Sequence, residues 1–175
     1  HASWGETLKV NDIVSLTPAA GRRLLTLLAD HRSMTETMRL PGAHNDPLLF
    51  LMSEQKQKVG ASLDLMLRII DVVGALSARG YPAGVSAELQ LDVRDEVLPW
   101  NNGRFVLTVA DRHASVRSGG SGKFGLHVRD LATLYSGYLT PQELLAASNL
   151  EAAEADLATA AQIFAGPRPW IPDMF

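Results

Sequence analysis

The 175-residue sequence predicts an α+β fold, an antiparallel sheet with helices packed on one face, preceded by a small α/β element. Three observations predict it. The stretch "GVSAELQLDVRD" sets Val85, Ala87, Leu89, Leu91 and Val93 against Ser86, Glu88, Gln90, Asp92 and Arg94, the period of a strand with one wet face. Three more strand-like runs follow, "RFVLTVAD", "HASVRS" and "KFGLHVRD", punctuated by turn residues. Helical patterns close the chain, and strands followed by helices argue for a sheet covered on one side.

In chain order, residues 8–16, "LKVNDIVSL", read as a strand and "TPAAGRRLLTLLADH" as a helix. Thr17 suits its N-cap, Pro18 its first position, and Leu24, Leu25 and Leu28 form one apolar face. Residues 35–40 read as a second short strand, and Asp46 with Pro47 opens a helix through "LLFLM". The polar stretch "SEQKQKVGAS" holds the boundary near residue 60, giving domains 1–60 and 61–175. Beyond it "LDLMLRII" reads as a strand leading into "DVVGALSARG", a helix capped by Asp71 and stopped by Gly80. After the alternating strand, "PWNNG" supplies turn chemistry and the strands continue as an antiparallel meander. The closing helices are "RDLATLYSG", "TPQELLAAS" capped by Thr140, and a long one through Leu150, Ala153, Leu157, Ala161 and Phe164.

Composition narrows the function classes. With 46% apolar residues and a formal charge of −3, the chain can bury a core and is expected to be soluble. Its basic residues are scattered, which argues against a nucleic-acid partner. The absence of cysteine excludes disulfides and thiolate chemistry and fits a cytoplasmic location. No apolar run approaches the roughly 18 residues that span a bilayer, so no membrane association is expected. The chain opens "HASWGE" without Met and is expected to be a processed or excised piece of a larger functional unit.

Several stretches imitate functional motifs. "RSGGSGKFG" contains Gly120-x-Gly122-x-x-Gly125, the dinucleotide-binding string, and Arg117-x-x-Gly120-x-Gly122, a pyrophosphate-cradling string. Both work when the glycine loop opens a helix, whose free N–H groups meet the phosphates. Here Phe124, Leu126 and Val128 alternate with Gly125, His127 and Arg129, so the loop feeds a strand and reads as a flexible hairpin turn. The next helix is expected from about Asp130. His31, His44, His113 and His127 lack metal-ligand spacing, and no metal is expected. Asp92, Asp95 and Glu96 cluster near a strand end, where alternation on a solvated face explains them without acid/base work. Trp100 and Trp170 are large anchors suited to core or interface. The tail "GPRPWIPDMF" is different: Pro167, Pro169 and Pro172 restrict its backbone, so it loses less entropy on ordering than most termini.

The series "LRIIDVVGALSARGY", "LQLDVRDEVLPWNNGRFVLTV", "FGLHVRDLATLYSGYLT" and "IFAGPRPWIPDMF" resembles the C-terminal part of the enhanced-intracellular-survival family of GNAT N-acetyltransferases. The resemblance is strongest over residues 64–175 and extends less distinctly to 1–60 through "DPLLFLM". It implies a sterol-carrier-protein-like domain over 61–175, preceded at 1–60 by the end of a second GNAT-like domain. It also implies that a first, N-terminal GNAT domain holding acetyl-CoA belongs to the same polypeptide, this chain binding no cofactor itself. The expected substrate is a cationic amine such as an aminoglycoside, and a homo-oligomer is the expected assembly. By the same resemblance the terminal carboxylate of Phe175 reaches the active site as general base or electrostatic partner, with Trp170 and Asp173 beside the substrate. Alone, the chain is expected to be inactive. Two other readings stand beside this one, a lipid-binding module using an apolar tunnel and an oligomerisation module with no catalytic role.

Overall fold

Thr17 takes an extended conformation and its hydroxyl accepts the N–H of Ala20, so the chain enters helix α1 (Pro18–Ala29) where the proline costs no hydrogen bond. The computed structural model describes residues 6–54 and 56–171. They divide into two compact units, one formed by the chain up to Leu63 with the tail from Trp170 on, the other by Asp64–Pro169.

In the first unit, α1 connects strand β1 (Glu6–Lys9) to strand β2 (Thr35–Arg39), and the two strands pair in parallel. Parallel neighbours require such a crossover. The expected strand over 8–16 stops at Lys9, because β2 offers partners only as far as Arg39. Asp46 accepts the N–H of Leu48 at 2.8 Å and opens a 3₁₀ turn, Pro47–Leu51. Gly21 sits against Leu51 and Leu48, where a methyl group would have only 2.5 Å to the Leu51 side chain.

The second unit is built on strands β3 (Ala87–Arg94), β4 (Gly103–Ala110), β5 (His113–Ser118) and β6 (Phe124–His127) in the order β5-β4-β3-β6. The alternation seen in the sequence is realised: Leu89 faces Leu107 and Leu91 faces Phe105 on one side, while Gln90 faces Val106 on the other. The β4–β5 connection is a two-residue turn with φ of 50° at Asp111 and 68° at Arg112, the left-handed pair that matches strand twist.

The sheet is mixed, which corrects the antiparallel meander. β3–β4 and β4–β5 are antiparallel, but β6 joins β3 in parallel. Residues 119–123 are therefore a crossing and not a hairpin turn. Ser118 pairs with Phe105, Phe105 with Leu91, and Leu91 with Phe124, so the ends of the loop stand in one row on opposite flanks. Three strand spacings are about 14 Å, and six Cα steps reach at most about 20 Å. So short a crossing must lie directly on the sheet.

Four helices complete the unit: α2 (Val72–Ala78), α3 (Val128–Ser136), α4 (Pro141–Ala147) and α5 (Glu154–Ile163). Leu76, Leu131, Leu134, Leu144, Leu157 and Ile163 join the β3 and β4 side chains in one buried core. Asp71 caps α2 through the N–H of Gly74, while Thr140 and Glu143 form a reciprocal capping box on α4. Gly80 follows directly on the C-cap Arg79 where a stop glycine is expected, but without the left-handed conformation of one, since the helix ends at Ala78 and the Arg79 backbone is already extended. Arg79 explains that ending. Its guanidinium donates to the carbonyls of Tyr135 (3.0 Å), Ile163 (3.3 Å) and Phe164 (3.4 Å), at the C-terminal ends of α3 and α5, and lies over the rings of Tyr81 and Phe164.

Two further expectations fail. The last helix starts only at Glu154, because Glu151 is held in an antiparallel bridge to Gly125 by two hydrogen bonds of 2.8 Å. "LDLMLRII" forms no strand, because the described residues supply no neighbouring strand for it. A lone strand cannot satisfy its own backbone.

Candidate functional site

The glycine loop determines what the wet face of the sheet can do. At Gly120, with φ of 97°, an added methyl would come within 2.5 Å of the Gln90 amide oxygen and 2.6 Å of Val106. Gly122, with φ of 68°, would press a methyl to 3.0 Å from the Arg104 side chain. The N–H of Ser121 donates to Gln90 at 2.7 Å. The glycines thus serve close approach to the sheet and left-handed backbone.

This geometry does not fit the pyrophosphate of a nucleotide-type cofactor. The loop opens strand β6 and not a helix, and the Ser121 N–H is already bonded to Gln90, so the loop does not itself supply the free N–H groups that the glycine string needs.

Beside the loop lies a cleft of about 300 Å³ lined by Asp92, Arg94, Lys123 and Glu151, with Gly122 and Gly125 in its wall. Asp92 and Arg94 come from the wet face of β3, and Glu151 is delivered by the bridge to Gly125. Asp92 lies 3.8 Å from Arg104, and Arg94 lies 3.4 Å from Glu151. The lining holds charge of both signs and no nucleophile–base pair, so it can bind a polar group but carries no catalytic constellation.

The three clustered acids separate into three roles. Asp92 lines the cleft. Asp95 is buried, accepting from Arg68 at 2.7 Å, Asn101 at 3.1 Å, and the backbone N–H groups of Val97 (3.0 Å) and Leu98 (3.1 Å). Burial opposes its charge, yet these donors outweigh burial and hold its carboxyl well below the usual range. Glu96 accepts from His127 Nε2 at 2.7 Å, and that bond holds Glu96 below its usual value. His127 Nδ1 in turn accepts the N–H of Arg129 at 3.1 Å, which leaves the ring proton on Nε2 for Glu96. His127 is the N-cap of α3, which begins two residues before the expected Asp130.

Of the tail residues, Trp170 is half-exposed at 47%. Phe175 and Asp173 lie outside the described residues. Trp100 is not a core anchor: most of its ring is exposed, and its indole N–H donates to the carbonyl of Ile70 at 2.8 Å. Sequence reasoning missed Arg68, Arg79 and Asn101. Asn101 is fully buried, and "PWNNG" as a turn motif gave no sign of it. Among the described residues no group of three histidine, aspartate or glutamate side chains could hold a metal ion, and no helix is long and apolar enough to cross a membrane.

Residues 72–172 match the family model described as sterol carrier protein domain. The chain belongs to the sterol carrier protein domain family. This sterol carrier protein domain follows residues 1–69, which match the model described as acetyltransferase (GNAT) domain. An uncharacterized N-acetyltransferase of Streptomyces griseus is 35% identical over 99% of this chain and 44% of its own length. One from Streptomyces coelicolor is 30% identical over 98% of this chain and 42% of its own. Among solved structures, a GCN5-related N-acetyltransferase from Anabaena variabilis superimposes with a TM-score of 0.93 at 40% identity, covering 97% of this chain and 44% of that one. Eis1 from Mycobacterium abscessus gives 0.80 at 28% identity, covering 99% and 44%. The chain spans less than half the length of the relatives it matches.

Proposed function

We propose that this chain is the C-terminal module of an acetyl-CoA-dependent N-acetyltransferase of the enhanced-intracellular-survival type. In this reading the cofactor and the chemistry belong to an N-terminal GNAT domain of the same polypeptide. The module contributes part of the substrate-pocket wall through Trp170 and Asp173, and the terminal carboxylate of Phe175. The substrate is a cationic amine, with aminoglycosides and polyamines as first candidates, and the assembly is a cytoplasmic homo-oligomer.

The observation that carries the reading is the whole-chain match to proteins described as N-acetyltransferases and more than twice as long, with a GNAT model over residues 1–69. The cleft beside the glycine loop is lined by charges of both signs, Asp92 and Glu151 with Arg94 and Lys123, which suits a polar group. An α-carboxyl has a reference pKa of about 3.3–3.7 and is a weak base in water. Burial beside the amine would raise it, and the prolines before it limit the entropy lost on placement.

The lipid-carrier alternative needs a tunnel between sheet and helices. That space is filled by Leu76, Leu89, Leu107, Phe124, Leu134 and Ile163, all fully buried.

The test is acetyl-CoA-dependent thiol release by the full-length parent with a polyamine or aminoglycoside, with and without Phe175. Loss of turnover on deletion, in a folded protein that still binds acetyl-CoA, supports the reading. Equal turnover removes Phe175 from the chemistry.

A further inference from the structure

The segment before α2 is held tightly on one side and bare on the other. Arg68 Nη2 donates to both Asp95 oxygens at 2.7 Å. Asn101 donates to the carbonyl of Ile69 at 3.2 Å and accepts the N–H of Val72 at 2.9 Å. The Trp100 indole holds the carbonyl of Ile70. Four polar contacts therefore fix residues 68–72 to the 95–101 turn.

The exposed side is apolar. Leu65 and Leu67 are half-exposed, Met66 is fully exposed, and Ile70, Val97 and Trp100 are each more than half exposed. Among the described residues, Leu65, Met66 and Leu67 make no backbone hydrogen bond. The three are large and apolar and stand between two charges, Asp64 and Arg68, of which Arg68 is paired to Asp95. Single exposed apolar residues are ordinary, but six in two neighbouring segments pinned by hydrogen bonds form a patch that marks an interaction surface.

We propose that residues 65–67, with Ile70, Val97 and Trp100, form the docking surface for the part of the polypeptide that lies upstream of this chain, residues 65–67 adding as a strand to its sheet. The choice of occupant rests on the reading under Proposed function and on length, since the solved relative at TM-score 0.93 has more than half of its chain outside the match. Free backbone groups give such a strand its main-chain affinity, and Leu65 and Leu67 on one face with Met66 on the other give it apolar surface to bury on both sides. The fixed Arg68–Asp95 and Asn101 contacts lower the entropy lost on docking.

Hydrogen–deuterium exchange on this chain and on the full-length parent reads the surface directly. In the parent the amides of residues 65–67 should exchange at least about tenfold more slowly than in the isolated chain. Met66→Asp should abolish that difference while leaving the melting temperature of the isolated chain unchanged, because the side chain touches nothing there. Equal exchange in both proteins overturns the proposal. Protection in the isolated chain that grows with its concentration, with matching dimer in sedimentation, also overturns it and assigns the surface to a second copy. Neither readout uses acetyl transfer, so a parent inactive on every amine tested leaves the docking result intact.

Discussion

Both carboxylate oxygens of Asp95 lie 2.7 Å from Nη2 of Arg68, and the same carboxylate accepts from the side chain of Asn101. The folded-state pKa of Asp95 lies below its unfolded value of about 3.9, so the stabilisation is complete above about pH 5 and is lost as pH falls from there toward the folded value. Urea denaturation of the wild type should show stability falling on acidification through this range. Asp95→Asn should be less stable at neutral pH and lose less on acidification. A variant that parallels the wild type at every pH would show that the pair is not the cause.

Asn101 joins Asp95 to two backbone groups that precede and begin α2. Asn101→Ala leaves the Val72 N–H and the Ile69 carbonyl without it and should cost about 2–3 kcal/mol. Asn101→Asp should cost more, since it puts a second carboxylate beside Asp95. Chemical denaturation of both variants checks the order.

Arg79→Lys keeps the charge and removes the fork. Lysine cannot reach the carbonyls of Tyr135, Ile163 and Phe164 together or stack on two rings, so a loss of about 1–2 kcal/mol is expected. If thermal unfolding of Arg79→Lys matches the wild type, charge at the helix ends is sufficient.

Gly120→Ala should destabilise by at least about 1–2 kcal/mol, from both the positive φ and the contacts at 2.5 and 2.6 Å. Gly60, with open space around it and no positive φ, is the control and should tolerate alanine. Equal melting temperatures for the two variants would show that the loop is not seated on the sheet.

Arg112→Gly acts in the opposite direction. Arginine at φ 68° in the two-residue turn carries a left-handed penalty that glycine lacks, and relief of about 0.5–1 kcal/mol should raise the melting temperature.

The α+β architecture was legible where a residue's role is set by its near neighbours. The two-residue period is realised from Ala87 to Val93, two residues later than the pattern begins, and the Thr17–Pro18 and Thr140–Pro141 starts and the Asp71 cap appear where the pattern put them. What failed depends on distant partners. No local pattern reports that β6 runs beside β3, that Glu151 bridges Gly125, or that residues 64–69 find no strand to pair with among the described residues. The acids show the same limit at the site. Alternation accounts for Asp92, but Asp95 is buried because Arg68 and Asn101, 27 residues before it and 6 after it, converge on it.

The bridge between Gly125 and Glu151 has a further consequence for how these molecules coexist in solution. β6 is a border strand, and a border strand with free N–H and C=O groups is a template onto which another chain can add and aggregate. The bridge occupies the central outward-facing groups of β6 and places a carboxylate there. This flank of the sheet is thereby closed to edge-to-edge growth, and the late start of the final helix is the structural counterpart of that protection.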